Sequence, residues 1–181
     1  MIEEYEEKIS SNFKGTIIDI ETIGEFNRLF KYDSRQYKDI RQVIFGYINS
    51  THLHINCAKD HNGIDQLKVI TSKIIDVLDR PLYAFNCDFE RGVLFHHIGI
   101  KTIFYGELNI RKYEKKMDAI QYLGIPNYND PFHDNGLMCV KAWNDKEFDK
   151  AIAHNRACLL KERDILLKRG HRIPNDLELI E

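Results

Sequence analysis

The sequence lacks several features that would have assigned the protein to a specialised class. No apolar run in its 181 residues approaches the roughly 20 residues that a membrane-spanning helix requires. The acidic first residues also lack the basic-then-apolar order of a secretory signal. The four cysteines show no paired short spacing, which predicts reduced thiols in a cytoplasmic protein and no structural zinc site.

No excess of one charge sign is present either. The formal net charge is −2, which argues neither for a strongly basic nucleic-acid coat nor for an acidic tail. Any binding of nucleic acid must then use a local patch. Two basic clusters are candidates for contact with phosphates, one at residues 111–116 and one at residues 161–172, and the alternative is an ordinary solvated helix surface.

What the chain does contain is an alternation of apolar strand-like and helix-like segments. Its length suits one domain, predicted over residues 1–181 with a core at about 15–168. Apolar periodicity and turn residues predict strands at residues 15–21, 41–50, 52–58, 80–86 and 101–109, and helices at 63–79, 88–99, 110–124 and from near Asn144 to Arg169. Residues 125–136 are predicted to be a loop.

This order of elements predicts an α/β fold, with a mixed five-stranded sheet and helices on both faces. The strand "GTIIDIE" hardly alternates between apolar and polar residues, so we expect it to be central and buried on both sides. The strand "RQVIFGYINS" is expected to pair with it in the antiparallel direction.

Two acidic residues end the central strand. Asp19 and Glu21 are two residues apart, so their side chains share one face of the sheet. Burying two like charges is unfavourable through repulsion and desolvation, and a bound cation would remove both costs. The carboxyl end of a central strand is also where open α/β sheets bind ligands. A second acidic signal, "NCDFE", places Glu90 after the strand that ends at Asn86.

These motifs resemble a known family. "DIE" on a first strand, followed by "NxxFE" at a strand-to-helix junction, is similar to the first two motifs of the DEDD 3′–5′ exonucleases of the ribonuclease H-like fold. The late segment "AIAHNRACLLKERDIL" resembles the third motif in its "YNxxD" form, found in a branch of predicted exonucleases. The resemblance spans roughly residues 15–168.

The resemblance implies a role for each matching residue. Asp19 and Glu21 take the positions of the first two metal-binding carboxylates, and Glu90 takes the position of the third, where aspartate is usual. His154 stands where the family has a tyrosine or histidine that orients or deprotonates water. An unperturbed pKa near 6.5 would suit it to the role of general base.

The fourth carboxylate of the family is replaced by Cys158. A thiol is a poor ligand for Mg²⁺, and core packing is the alternative role for this cysteine. Glu162 lies one helical turn further on and could supply the missing carboxylate, whereas Asp164 points about 200° away around the helix.

The resemblance therefore predicts a nuclease dependent on Mg²⁺ or Mn²⁺, of the 3′–5′ exonuclease type, acting on single-stranded DNA or RNA. The missing aspartate keeps a second prediction open, in which the protein is a weakened or inactive subunit that binds nucleic acid or supports an assembly. A third alternative is an unrelated α/β hydrolase with a metal bound by the same carboxylates. The oligomeric state is left open by the sequence.

Overall fold

A six-stranded mixed sheet forms the framework of the protein in a computed structural model that describes residues 1–181. The strand order is β1-β4-β3-β2-β5-β6. Neighbours from β1 to β2 pair in the antiparallel direction, and β2, β5 and β6 run parallel. The strands are β1 (Ile2–Lys8), β2 (Thr16–Ile23), β3 (Arg41–Ile48), β4 (His52–Ala58), β5 (Leu82–Ala84) and β6 (Gly106–Glu107).

Five α-helices and three shorter helical segments complete the fold. The α-helices are α1 (His61–Val77), α2 (Cys87–Val93), α3 (Lys116–Leu123), α4 (Gly136–Asn144) and α5 (Phe148–Arg169). Two 3₁₀ turns lie at Arg28–Phe30 and Ser34–Tyr37, and a π-helix at Leu94–Ile98 continues α2. None of these helices is long and apolar enough to cross a membrane.

The long helices α1 and α5 cover the two faces of the sheet. Both pack on β3 and β4. Two helices about 10 Å wide cannot lie side by side on one face of a two-strand strip of similar width, so they lie on opposite faces. The buried apolar residues form one contiguous core of 38 residues between these layers. The predicted α/β class is therefore confirmed, as is the central position of β2 and its antiparallel pairing with β3.

The prediction of five strands is wrong, because the acidic N-terminal segment forms a sixth. Strand β1 pairs along its whole length with β4 at the sheet edge. Its sequence "IEEYEEK" carries no apolar alternation, so the pattern gave no strand signal. Charged residues are typical of an edge strand, and Glu7 is tied to α5 through its ion pair with Arg156.

Several other boundaries differ from the prediction. Strand β2 continues past Glu21 to Ile23, the strand expected at residues 80–86 is limited to Leu82–Ala84, and the helix expected at residues 110–124 begins only at Lys116. The segment at 101–109 contributes only two paired residues, β6. Helix α4 was not predicted. The last helix was expected to start near Asn144, but Asn144 ends α4 and α5 begins at Phe148. The spacing of Asn144 and Glu147 predicts a capping box. In the structure Glu147 is the N-cap residue of α5, and its side chain makes no capping hydrogen bond. The predicted ends at Gly99 and Gly170 are confirmed.

A glycine sets the distance between α5 and the sheet. Gly46 in β3 pairs with Asp19 of β2, and a Cβ atom at Gly46 would lie 2.0 Å from Oδ1 of Asn155 and 2.9 Å from Cδ1 of Leu159. The absence of a side chain therefore lets α5 approach β2 closely enough for Asn155 to reach Asp19.

We expect Gly46→Ala to destabilise the protein by about 1–3 kcal/mol, because the methyl group forces α5 away from the sheet. The control is Gly136→Ala at the exposed start of α4, where no atom lies within 4 Å of the added Cβ. Denaturant unfolding of both variants checks this. Equal stability of Gly46→Ala and wild type would contradict the close approach.

Candidate functional site

Four carboxylates converge next to β2, just past the residues where β2 pairs with β5. Asp19 and Glu21 extend from β2 itself, Glu90 from the first turns of α2, and Glu162 from α5. The fold brings them together in two ways. Helix α2 directly follows β5, the strand that runs parallel to β2, and α5 packs on the face of β2 from which the Asp19 side chain extends. The three acids that match the exonuclease motifs, Asp19, Glu21 and Glu90, therefore lie in one cluster. Glu162 also belongs to it.

Both oxygens of Asp19 contact nitrogen donors. The Nζ atom of Lys116 donates to Oδ1 at 3.0 Å, and Nδ2 of Asn155 donates to Oδ2 at 2.7 Å. Asn155 also donates to the backbone carbonyl of Asp19. Asp19 is thus fixed in orientation from two elements, α3 and α5, and its side chain is 9% exposed.

Glu90 and Glu162 are buried with few partners. The Oε2 atom of Glu90 is buried and accepts no hydrogen bond. Glu162 Oε1 lies 2.5 Å from Nζ of Lys116, but the angles of this contact do not meet those of a hydrogen bond, so the interaction is an ion pair in close contact. Burial raises the pKa of Glu90, and the nearby carboxylates of Asp19 and Glu162 raise it further. The pKa of Glu162 is also raised, mainly by burial.

Glu21 faces a histidine that is held by a second acid. Nε2 of His154 lies 3.5 Å from Oε1 of Glu21, and Nδ1 of His154 lies 2.8 Å from Oδ1 of Asp130. Burial raises the pKa of Glu21 to about 7, against the opposing effect of His154.

The charge state of His154 follows from the same contacts. Burial lowers the pKa of His154, but Cys158, Glu21 and Asp130 raise it by more, and the result is about 11. A protonated imidazole donates hydrogen bonds and accepts none. This favours a positioning role for His154 over the predicted role of general base.

The loop between α3 and α4 is anchored beneath this histidine. Lys161 of α5 is completely buried and donates to Asp130 at 2.8 Å and to Asp134 at 2.7 Å. Asp130 also accepts from the backbone amides of Phe132 and Asp134. These contacts hold Asp130 against His154, so the ring orientation is determined by the loop.

Cys158 lies inside the cluster, as its place in the third motif predicts. Its Sγ atom is 3.7 Å from Nε2 of His154, and one ligand atom each of Asp19, Glu21 and Cys158 lie within 4.8 Å of one another. Burial raises the pKa of Cys158. Asp164 points away from the cluster toward Tyr128 and Arg163, which agrees with the preference for Glu162.

The donor set of the cluster could hold a hard divalent cation. Carboxylate oxygens are the ligands that Mg²⁺ and Mn²⁺ prefer. Glu90 offers a buried oxygen without any partner, and Glu21 offers a second carboxylate beside Asp19. A cation at this position would satisfy the orphaned oxygen and offset the repulsion among the acids.

The cluster opens into a cleft of about 960 Å³. Aromatic and apolar side chains form much of its wall, while the polar groups of the cluster lie at its base. Phe26 and Leu137 on the wall are 51% and 80% exposed, so their surfaces are free to contact a ligand. The aromatic wall residues are Phe26, Phe85, Phe89 and Phe132.

Ion pairs within the protein engage part of the first basic cluster and most of the second. In the first, Lys116 points into the carboxylates. In the second, most side chains form ion pairs: Lys161 with Asp130 and Asp134, Arg163 with Asp164, Arg169 with Glu114 and Arg172 with Glu107. These four side chains are therefore fully or partly buried in ion pairs within the protein.

Sequence reasoning missed three residues of the site. Lys116 was grouped with its exposed neighbours, and only the register of α3 distinguishes it from them. Asn155 does match the asparagine of the "YNxxD" motif, so a signal for it was present. Asp130 carried no signal, because its contact with His154 joins residues 24 positions apart.

Comparison with protein-family models, curated proteins and solved structures finds no match to this chain. What the site does must therefore be argued from its own geometry.

We expect Glu90→Gln to stabilise the metal-free protein by about 1–3 kcal/mol at about pH 8. The folded-state pKa of Glu90 lies above its usual value of 4.5, so stability is lost as the pH rises above that value. Glutamine cannot ionise and avoids this loss. The gain should disappear near pH 4, where the unfolded chain is also protonated.

Denaturant unfolding with a chelator across this pH range measures the effect, and Glu25→Gln on the surface is the control. A Glu90→Gln variant with lower stability than wild type at every pH would contradict the unpaired burial of Glu90.

Proposed function

We propose that this protein is a divalent-metal-dependent nuclease with a ribonuclease H-like fold, acting as a 3′–5′ exonuclease on single-stranded nucleic acid. The observation that carries the proposal is the cluster of carboxylates beside the central strand, just past its pairing with β5, which opens into an aromatic-lined cleft. The family resemblance, which names Asp19, Glu21 and Glu90, adds to it.

The chemistry of phosphodiester hydrolysis requires such a cluster. Attack of water adds negative charge at phosphorus, and a bound Mg²⁺ or Mn²⁺ would activate the water and stabilise the leaving oxygen. Asp19, Glu21 and Glu90 would hold the ion. His154, fixed by Asp130, presents Nε2 toward Glu21 and would position the water or a phosphate oxygen.

The cleft favours single strands as the substrate. Bases of a single strand expose their faces, and stacking on aromatic side chains is worth about 1–3 kcal/mol per base. Phe26, Phe89 and Phe132 line the cleft above the carboxylates, so a base could stack while its phosphate reaches them. Lys115 and His133 on the cleft wall would contact the backbone.

Two observations favour the second candidate function, an inactive subunit that binds nucleic acid. Cys158 stands where the family has its fourth carboxylate, and Lys116 already contacts Asp19 and Glu162. Because Lys116 already offsets part of the negative charge, the cluster depends less on a bound metal ion for its stability. Under this alternative the cleft binds a strand and the carboxylates are structural.

Asp19→Asn should lower the nuclease rate by more than about 100-fold, because the amide has no charge to offer to the ion. Degradation of end-labelled single-stranded DNA and RNA with Mn²⁺ or Mg²⁺ measures this, and we expect higher rates with Mn²⁺. Asp65→Asn on the exposed surface of α1 is the control. Metal-independent activity, or activity unchanged in Asp19→Asn, would contradict the proposal.

Cys158→Asp separates the two functions. It restores the family's fourth carboxylate beside Asp19 and Glu21, so a weakened nuclease should bind Mn²⁺ more tightly and turn over faster. Cys158→Asn is the matched control, since it has the same shape without the charge. If wild type is inactive and Cys158→Asp gains neither metal affinity nor activity, the binding subunit becomes the better assignment.

A further inference from the structure

A buried ammonium group lies among the carboxylates. Nζ of Lys116 is 3.0 Å from Oδ1 of Asp19 and 2.5 Å from Oε1 of Glu162. The Lys116 side chain is 19% exposed and that of Glu162 is fully buried. Nζ also lies 5.6 Å from the ring centroid of Phe85, within the range of a cation–π contact.

The neighbouring lysines are placed differently. Lys115 is exposed, and Lys112 is half-exposed with Nζ 3.9 Å from the nearest oxygen of Asp88. Desolvating an ammonium group is unfavourable unless opposite charges offset it. Lys116 alone meets this condition, because two carboxylates face it.

Of the remaining acids, Glu21 faces His154 at 3.5 Å, and Glu90 forms no ion pair. Glu90 is 4% exposed, and its Oε2 accepts no hydrogen bond. Lys116 thus supplies one positive charge to four clustered carboxylates and contacts two of them. Glu90 keeps an unpartnered oxygen, and Glu21 and Glu90 both line the cleft, where a further cation could reach them. A second divalent ion near Asp19 and Glu162 would meet the positive charge of Nζ at close range.

We propose that Lys116 occupies one cation position of this cluster, so that the site takes a single divalent ion where Asp19, Glu21 and Glu90 line the cleft. The inference rests on the proposed function in that the cluster binds a divalent metal. Lys116 is then a tethered cation that holds Asp19 and Glu162 in place and limits the number of ions.

Titration with Mn²⁺, followed by electron paramagnetic resonance, counts the ions and detects magnetically coupled pairs. Wild type should bind one isolated ion. Lys116→Met should bind two, with the signal of a coupled pair, because the position of Nζ becomes free. Lys115→Met should bind one, as wild type does.

A second variant guards against loss of the fold. Lys116→Gln keeps donors for Asp19 and Glu162 but has no charge, and it should also bind two ions. If neither variant folds, the wild-type count decides alone. Two ions or none in wild type, or equal counts in wild type and the folded Lys116 variants, overturns the inference.

The same samples distinguish this inference from the proposed function. Metal-dependent nuclease activity with unchanged ion counts would leave the function standing and overturn the role of Lys116. A change from one ion in wild type to two in the Lys116 variants, without any nuclease activity, would support the role of Lys116 and overturn the proposed function.

Discussion

The burial of like charges at the end of β2 is the constraint on which the rest of the site depends. Asp19, Glu21, Glu90 and Glu162 come from three elements, and the charge of Asp19 raises the pKa of the other three carboxylates. Such an arrangement persists only if cations accompany it. Lys116 supplies one within the chain, and His154 supplies another at the edge of the cluster.

The surrounding structure holds these charged side chains in position. Gly46 allows α5 to approach β2, Asn155 then reaches Asp19, and the next turns of the same helix bring Cys158 and Glu162 to the cluster. On the far side, Lys161 anchors the loop that presents Asp130 to His154. Helix α5 is therefore both a core element and the carrier of half of the site. This double role explains why so many of its polar residues are buried.

The sequence predicts some parts of the fold and of the acidic cluster but not others. The apolar run before Asp19 and the two-residue spacing to Glu21 locate a buried strand and its charged end without knowledge of the fold. Strand β1 could not be found in this way, since its acidic sequence becomes a strand only through pairing with the free edge of β4. Lys116 and Asp130 were missed for a related reason. Their roles come from contacts across 97 and 24 positions of the chain, which no local pattern encodes.

The central claim is that the cluster binds a divalent ion beside Lys116. Anomalous diffraction from crystals soaked in Mn²⁺ tests it most directly, since it locates each manganese ion without assumptions about activity. We expect one peak where Asp19, Glu21 and Glu90 line the cleft, with Lys116 still in contact with Asp19 and Glu162. No peak at the cluster, or a peak in the place of the Lys116 ammonium group, would contradict it.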